Sequence, residues 1–301
     1  MSADNETTQD RRRLKRRLSF WRIIAIILVI VLGVWIFDSF SEEELADHVA
    51  RLDVSEIIVE NERRQDAIGR VRDDDTAKAL IVYINSPGGS TYGSERLYKA
   101  LRRVAEKKPV VTIIGTIGAS GGYLTALAGD RIFAGESSIT GSIGVIVQLT
   151  EFSALMEKVG VTATAITSGG IKGDPSPFKP ISKAGRENLQ TMVTETYDWF
   201  VDLVTERRPL EKSDVRRLAD GRVLIGIAAL RNGLIDELGG IEEARHWLES
   251  ERQIPHSIPL HKIDYSEPKP LIERLFSGML GKSVITERLT LDGLLSLWQP
   301  N

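Results

Sequence analysis

"IGTIGASGGYLTAL", residues 114–127, holds too many glycines for an ordinary helix and too many apolar residues for an ordinary loop. A β-branched run, "PVVTIIG" (109–115), leads into it, and a helix-like run, "GGYLTALAG" (121–129), leads out. The pattern predicts a strand, a tight turn and a helix, with Ser120 at the turn between Gly118 and Gly121–Gly122. Glycine tolerates positive φ and lets another backbone come close, so the turn can be sharp and its surroundings bare. The first backbone N–H groups of a helix have no partner inside it, which places a hydroxyl beside free donors.

Outward from this stretch the same alternation repeats. "LIVYIN" (80–85) is a strand that runs into a glycine turn, "SPGGS" (86–90), and "TYGSERLYKALRRVAEKK" (91–108) follows with Leu97, Leu101 and Val104 at helical spacing. "VSEIIVEN" (54–61) reads as a first strand, and the order continues through "DRIFAGE" (130–136), "SALMEKVG" (153–160) and a further strand, "VTATAITSG" (161–169). Such alternation predicts an α/β domain with largely parallel strands. From residue 182 the pattern becomes helical: Leu189, Met192, Val193, Tyr197, Phe200 and Val204 form one stripe. "AALRNGLIDELGGIEEARHWL" (228–248) closes the domain, and residues 255–301 form a tail with prolines and an amphipathic piece, "PLIERLFSGML" (270–280). That tail is expected to pack on another subunit or on a membrane surface.

The N-terminus breaks the even composition. Six basic residues between Arg11 and Arg17 precede an uncharged run from Ile23 to Phe37. With Leu18 to Trp21 added and Arg22 snorkelling, the segment reaches the roughly 20 residues that cross a bilayer. Bulky Trp35, Ile36 and Phe37 stand where a signal-peptide cleavage site would need small residues. The expectation is a basic cytoplasmic tail (1–17), an uncleaved transmembrane anchor (18–40), a linker or short helix (41–53), a catalytic domain (54–254) and the tail. The positive-inside rule keeps the basic end in the cytoplasm and puts the domain outside it, periplasmic in a Gram-negative source. The absence of cysteine excludes thiol catalysis and disulfides, and a net charge of −3 with scattered basic residues argues against nucleic acid.

Four groups of residues carry chemistry. Ser120 matches the exposed serine of a nucleophile elbow, although an isolated A-S-G-G also suits a helix cap. Gly89, in the upstream turn, and Gly121 offer two backbone amides for an oxyanion, although a plain type II turn explains Pro87 and its glycine equally well. The four histidines (48, 246, 256 and 261) lie far in sequence from these turns. Lys172, in "SGGIKGDPSPF" (168–178), is the candidate base. A lysine is almost fully protonated at neutral pH, with a reference pKa of about 10.4, and desolvation lowers it by up to about 3 to 5 units. Ser142, in "TGSIGV" (140–145), is a short hydroxyl able to orient a neutral amine. Each of the last two also reads as an ordinary loop or turn residue.

Taken in order, "NSPGG", "GASGGY", "TGSIGV", "SGGIK" with "SPF", "DGRV" and "GLIDELGG" resemble the short-form signal peptide peptidase A proteins, serine-lysine peptidases of the S49 family. The resemblance runs from about residue 54 to residue 250. It implies a crotonase/Clp protease-like fold, a repeated β-β-α superhelix with a C-terminal helical part, preceded by one transmembrane helix. It further implies Ser120 as nucleophile, Lys172 as general base, Ser142 as the residue that orients the lysine, and Gly89 and Gly121 as the oxyanion hole. Neither a metal nor an organic cofactor is implied. The expected substrates are remnant signal peptides and other extended apolar peptides. The expected assembly is a homo-oligomeric ring, octameric, with sites shared between subunits. Two other functions fit the same fold: crotonase-like acyl-thioester chemistry, which leaves Lys172 without a task, and a non-catalytic ring-forming membrane scaffold.

Overall fold

The computed structural model describes residues 17, 20–33, 46–265 and 295–297. They fall into two units divided after Ala46. The first contributes helix α1 (residues 20–33), whose Phe20, Trp21 and Ile23 are exposed. Among the described residues no helix is long and apolar enough to cross a membrane. Residues 18–19 and 34–40 of the expected anchor lie outside the described residues.

The second unit is an α/β fold. Its elements run β1 (His48–Ile58), α2 (Glu62–Asp73), β2 (Ala77–Ser90), α3 (Thr91–Ala105), β3 (Val110–Ala119), α4 (Gly121–Ala126), β4 (Arg131–Ala134) and β5 (Ile139–Gly141). Then follow α5 (Ser153–Lys158), α6 (Lys183–Arg207), α7 (Lys212–Leu218), β6 (Val223–Ile225), α8 (Gly226–Arg231), β7 (Glu237–Leu238), α9 (Ile241–Arg252), β8 (Leu260–Lys262) and β9 (Leu295–Leu297). The sheet order is β6-β5-β3-β2-β1-β8. β1, β2 and β3 are mutually parallel, and the edge pairs β5–β6 and β2–β9 are antiparallel.

β3 forks. Val111–Ile114 pair with β4, whereas Ile117–Ala119 pair with β5. The sheet therefore splits beside the serine turn, and the carboxyl ends of β3 and β5 lie next to each other. Successive side chains of a strand point to opposite faces, so the near-continuous apolar runs bury both. Leu80, Val82 and Ile84 face the main core with Leu97, Leu101 and Phe200, while Ala79, Ile81, Val111 and Ile113 face Ala244 and Leu248 of α9. This is the pattern of a parallel sheet covered on both sides.

Three segments differ from the sequence reading. The expected linker 41–53 already contains strand: β1 begins at His48 because Val49, Ala50, Leu52 and Val54 are buried while Arg51 and Asp53 pair with each other. "SPGGS" (86–90) is the bulged last part of β2 rather than a turn that follows it. The β2–β3 register shifts after Ile84, Gly88 takes φ 118°, and Gly88–Gly89 rejoin Ile57–Ile58. Residues 161–167 form no strand: among the described residues no ladder partner reaches them, and Ile166 is 99% exposed. The tail also enters the sheet, through β8 beside β1 and β9 beside Gly88–Ser90.

Candidate active site

Ser120 stands between β3 and α4 with φ 54° and ψ −116°. A non-glycine residue at such angles is strained by roughly 1–3 kcal/mol, and such strain persists only where the surroundings over-determine it. They do so here. The Ser120 amide donates to the Gly141 carbonyl at 2.8 Å, and the Ser120 carbonyl accepts from Leu124 N at 2.9 Å. Strand on one side and helix on the other leave the turn no freedom, and Ser120 is 1% exposed.

The same ladder brings Ser142 to the site. Ala119 pairs with Gly141, so Ser120 and Ser142 are the next residues on adjacent parallel strands. Ser142 is itself at φ 49°, buried, with its amide donating to the Arg222 carbonyl at 2.8 Å. The "DGRV" segment thus fixes the Ser142 turn from the far side, through the antiparallel β5–β6 pair.

The glycines are required by close approach. A Cβ on Gly121 would run into the Ser94 hydroxyl and lie 3.1 Å from Gly89 N and 3.3 Å from Gly88 Cα. A Cβ on Gly89 would overlap the Ile58 carbonyl, and one on Gly122 would meet the Ser86 carbonyl at 2.6 Å. Ser86 steadies the upstream turn: its Oγ accepts from Gly88 N at 3.1 Å and donates to the Glu56 carbonyl. Gly89 and Gly121 are therefore brought together, at the ends of β2 and β3, where ligands bind in open parallel sheets.

Lys172 stands apart from this cluster. It lies in a turn, its amide donating to the Gly169 carbonyl at 3.1 Å, and its side chain is exposed. The loop belongs to an arm, residues 145–181, that has no buried residue and displays Leu149, Phe152, Leu155, Val161, Ile171 and Phe178.

Two further features brace the turn. Tyr123, on α4, is buried and donates to the Leu234 carbonyl at 2.8 Å, and burial pushes its phenol well above the ordinary range. Asp236 of "GLIDELGG" takes a bidentate pair from Arg208 at 3.0 and 2.9 Å and accepts from Ile132 N at 2.8 Å. Ser94 is the group that the motifs do not single out. Its signal in the sequence is a hydroxyl on the apolar stripe of α3, in line with Leu97, Leu101 and Val104.

Ser120 thus stands at positive φ at the carboxyl end of a central parallel strand, with Gly121 next to it and the Gly88–Gly89 backbone packed against Gly121. The family model for peptidase family S49 matches residues 102–255, and that for Clp protease matches residues 62–139. A candidate protease of Methanocaldococcus jannaschii is 41% identical over 176 residues, 58% of this chain and 57% of that protein. A candidate protease of Synechocystis sp. is 35% identical over 248 residues, 81% of this chain and 87% of the relative. The chloroplastic serine protease SPPA of Arabidopsis thaliana is 32% identical over 232 residues, 76% of this chain and 34% of that protein. The chain thus spans most of the cyanobacterial relative, little more than half of the archaeal one and a third of the plant one. It belongs to peptidase family S49.

Proposed function

We propose that the chain is a membrane-anchored serine endopeptidase that cuts remnant signal peptides and other extended apolar peptides through an acyl-enzyme. The observation that carries this reading is Ser120, held at positive φ beside the Gly89 and Gly121 backbones and one ladder step from Ser142. In the proposed course Ser120 Oγ attacks the peptide carbonyl and gives its proton to the Lys172 amine. The Gly89 and Gly121 amides hold the oxyanion, each such donor being worth on the order of 3 kcal/mol. The leaving amine takes the proton from Lys172, and water then releases the acyl group by the same route in reverse. Ser142 orients the lysine amine.

The wider fold is read as a crotonase/Clp-like β-β-α superhelix, supported by the Clp protease match over 62–139. Extended substrates are supported by β9, which pairs antiparallel along Gly88–Ser90 and occupies that edge as an added strand. Lys172 is placed in the site by a neighbouring copy, in a ring. This is supported by its exposure and by the bare apolar arm that bears it, a surface of the kind that subunit contacts cover. The bare apolar helix α1 and the basic residues before it support an anchor that leaves the peptidase domain outside the cytoplasm.

The test is labelling of the full chain in detergent with a fluorophosphonate probe, followed by peptide mapping. Adduct at Ser120 that disappears in Ser120→Ala and in Lys172→Ala is expected. Labelling elsewhere, or labelling indifferent to Lys172, would overturn the assignment.

A further inference from the structure

We propose that Ser94 is a positioning residue of this site, holding the Gly121 and Gly89 amides at the separation that a single oxyanion can bridge. The inference rests on the reading of Ser120 as the nucleophile. Ser94 is wholly buried, and among the described residues its Oγ has no hydrogen-bond partner. A buried polar atom left without a partner is destabilising and calls for a reason.

A local partner is at hand. Helical hydroxyls commonly donate to the carbonyl four residues back, and Thr125, Thr191, Thr196 and Thr205 all do so in this chain, at 2.8–3.0 Å. The Ser94 hydroxyl does not donate to the Ser90 carbonyl, and its Oγ lies against Gly121 instead. The Ser90 side chain, meanwhile, caps α3 by accepting from Gly93 N at 3.1 Å, which pins the first turn that carries Ser94. The space beside the Gly121 Cα is thus bounded by three groups: Ser94 Oγ, Gly89 N and Gly88 Cα.

An apolar side chain of the same size would fill this space without an unpaired hydroxyl, so packing alone does not account for a serine. A polar stop behind the two amides does. It keeps α4 from sliding toward α3, and it adds a dipole that can turn its hydrogen toward the developing charge at no reorganisation cost. Shortening it to alanine leaves room for Gly121 to move, and misplacement by an ångström costs on the order of a hundredfold in rate.

The measurement is the second-order rate of fluorophosphonate labelling at Ser120, because the probe's phosphoryl oxygen occupies the oxyanion position. It is made on the full chain in detergent, alongside peptide-cleavage kinetics and thermal melting. Ser94→Ala should lower labelling and kcat by about tenfold to a hundredfold, leave KM near its original value, and keep or raise the melting temperature. Ser94→Cys, which restores the volume and a weak donor, should recover part of the rate. Ser94→Ala that labels as fast as the unaltered chain overturns the proposal. So does a parallel loss of melting temperature and rate in both variants, which is the behaviour of a packing residue. Failure of the unaltered chain to label at all sinks the Ser120 reading itself, and is told apart by that control.

Discussion

Replacing Gly121 with alanine adds one methyl group at the most crowded point of the site. The new Cβ would collide with Ser94 Oγ and sit 3.1 Å from Gly89 N and 3.3 Å from Gly88 Cα, so the first turn of α4 must move by several tenths of an ångström. Overpacking of this kind costs about 1–3 kcal/mol, and alanine returns about 1 kcal/mol of helix propensity over glycine. The net loss of stability is then at most about 2 kcal/mol, a fall of roughly 4–8 °C in melting temperature for a domain of this size. The catalytic loss should be larger, because the displaced amide is an oxyanion donor worth about 3 kcal/mol, on the order of a hundredfold or more in kcat. Peptide cleavage and thermal melting of the same preparation separate the two. Gly69→Ala is the control: nothing lies within 4 Å of its added Cβ on α2, so stability should rise by about 1 kcal/mol with activity unchanged. A Gly121→Ala variant with the original kcat would refute the placing of the oxyanion hole.

If the site is shared between subunits, co-assembly of Ser120→Ala and Lys172→Ala protomers should restore part of the activity that each lacks, since some interfaces then join an intact serine to an intact lysine. No recovery in demonstrably mixed assemblies sinks the shared site and leaves the dyad standing. A lysine accepts a proton only as the free amine, so kcat/KM should climb from neutral toward alkaline pH; an acidic optimum excludes a lysine base. Asp236→Ala leaves the guanidinium of buried Arg208 unpaired and strips Ile132 N of its acceptor, and should cost about 3 kcal/mol in a urea titration. An unchanged midpoint would show the brace to be dispensable. Ending the chain after Tyr265 removes β9 from the Gly88–Ser90 edge and should lower KM for a peptide substrate. Equal KM values in the two chains would mean that the tail does not compete there.

What the sequence made legible follows from where the periodic signal is strong. Leu80–Val82 and Val110–Ile114 are buried on both faces, so their β-branched runs announce strands, and α3 and α6 carry long apolar stripes. β1 was harder to see because Arg51 and Asp53 interrupt its apolar pattern. Their charges are matched by each other, by Lys262 of β8 and by the Tyr83 ring. The Lys262 contact spans more than 200 residues, which no local window contains. "SPGGS" has the composition of a turn, but its residues stay in the ladder as the bulged last part of β2. Residues 161–167 have the composition of a strand, but a ladder needs a partner and none of the described residues pairs with them. The pairing of Ser120 with Ser142 depends on the fork in β3. Local sequence can nominate both serines without showing that they are neighbours.

The division of the proposed site between a rigid half and a bare half has a physical logic. The serine half holds its geometry without help: the Ser120 turn is strained, locked by the Gly141 and Leu124 hydrogen bonds, and walled by glycines that admit no side chain. The lysine half has the opposite need. A hydrated amine keeps its proton at neutral pH, and only desolvation makes it a base. On a single chain the Lys172 loop is exposed together with Ile146, Leu149, Phe152 and Ile171 of the same arm. Laying that arm against a neighbour would bury apolar surface, which favours association, and would strip water from the amine in the same step. Assembly and activation would then be one event, and a dispersed chain would carry a well-formed nucleophile with no base to deprotonate it.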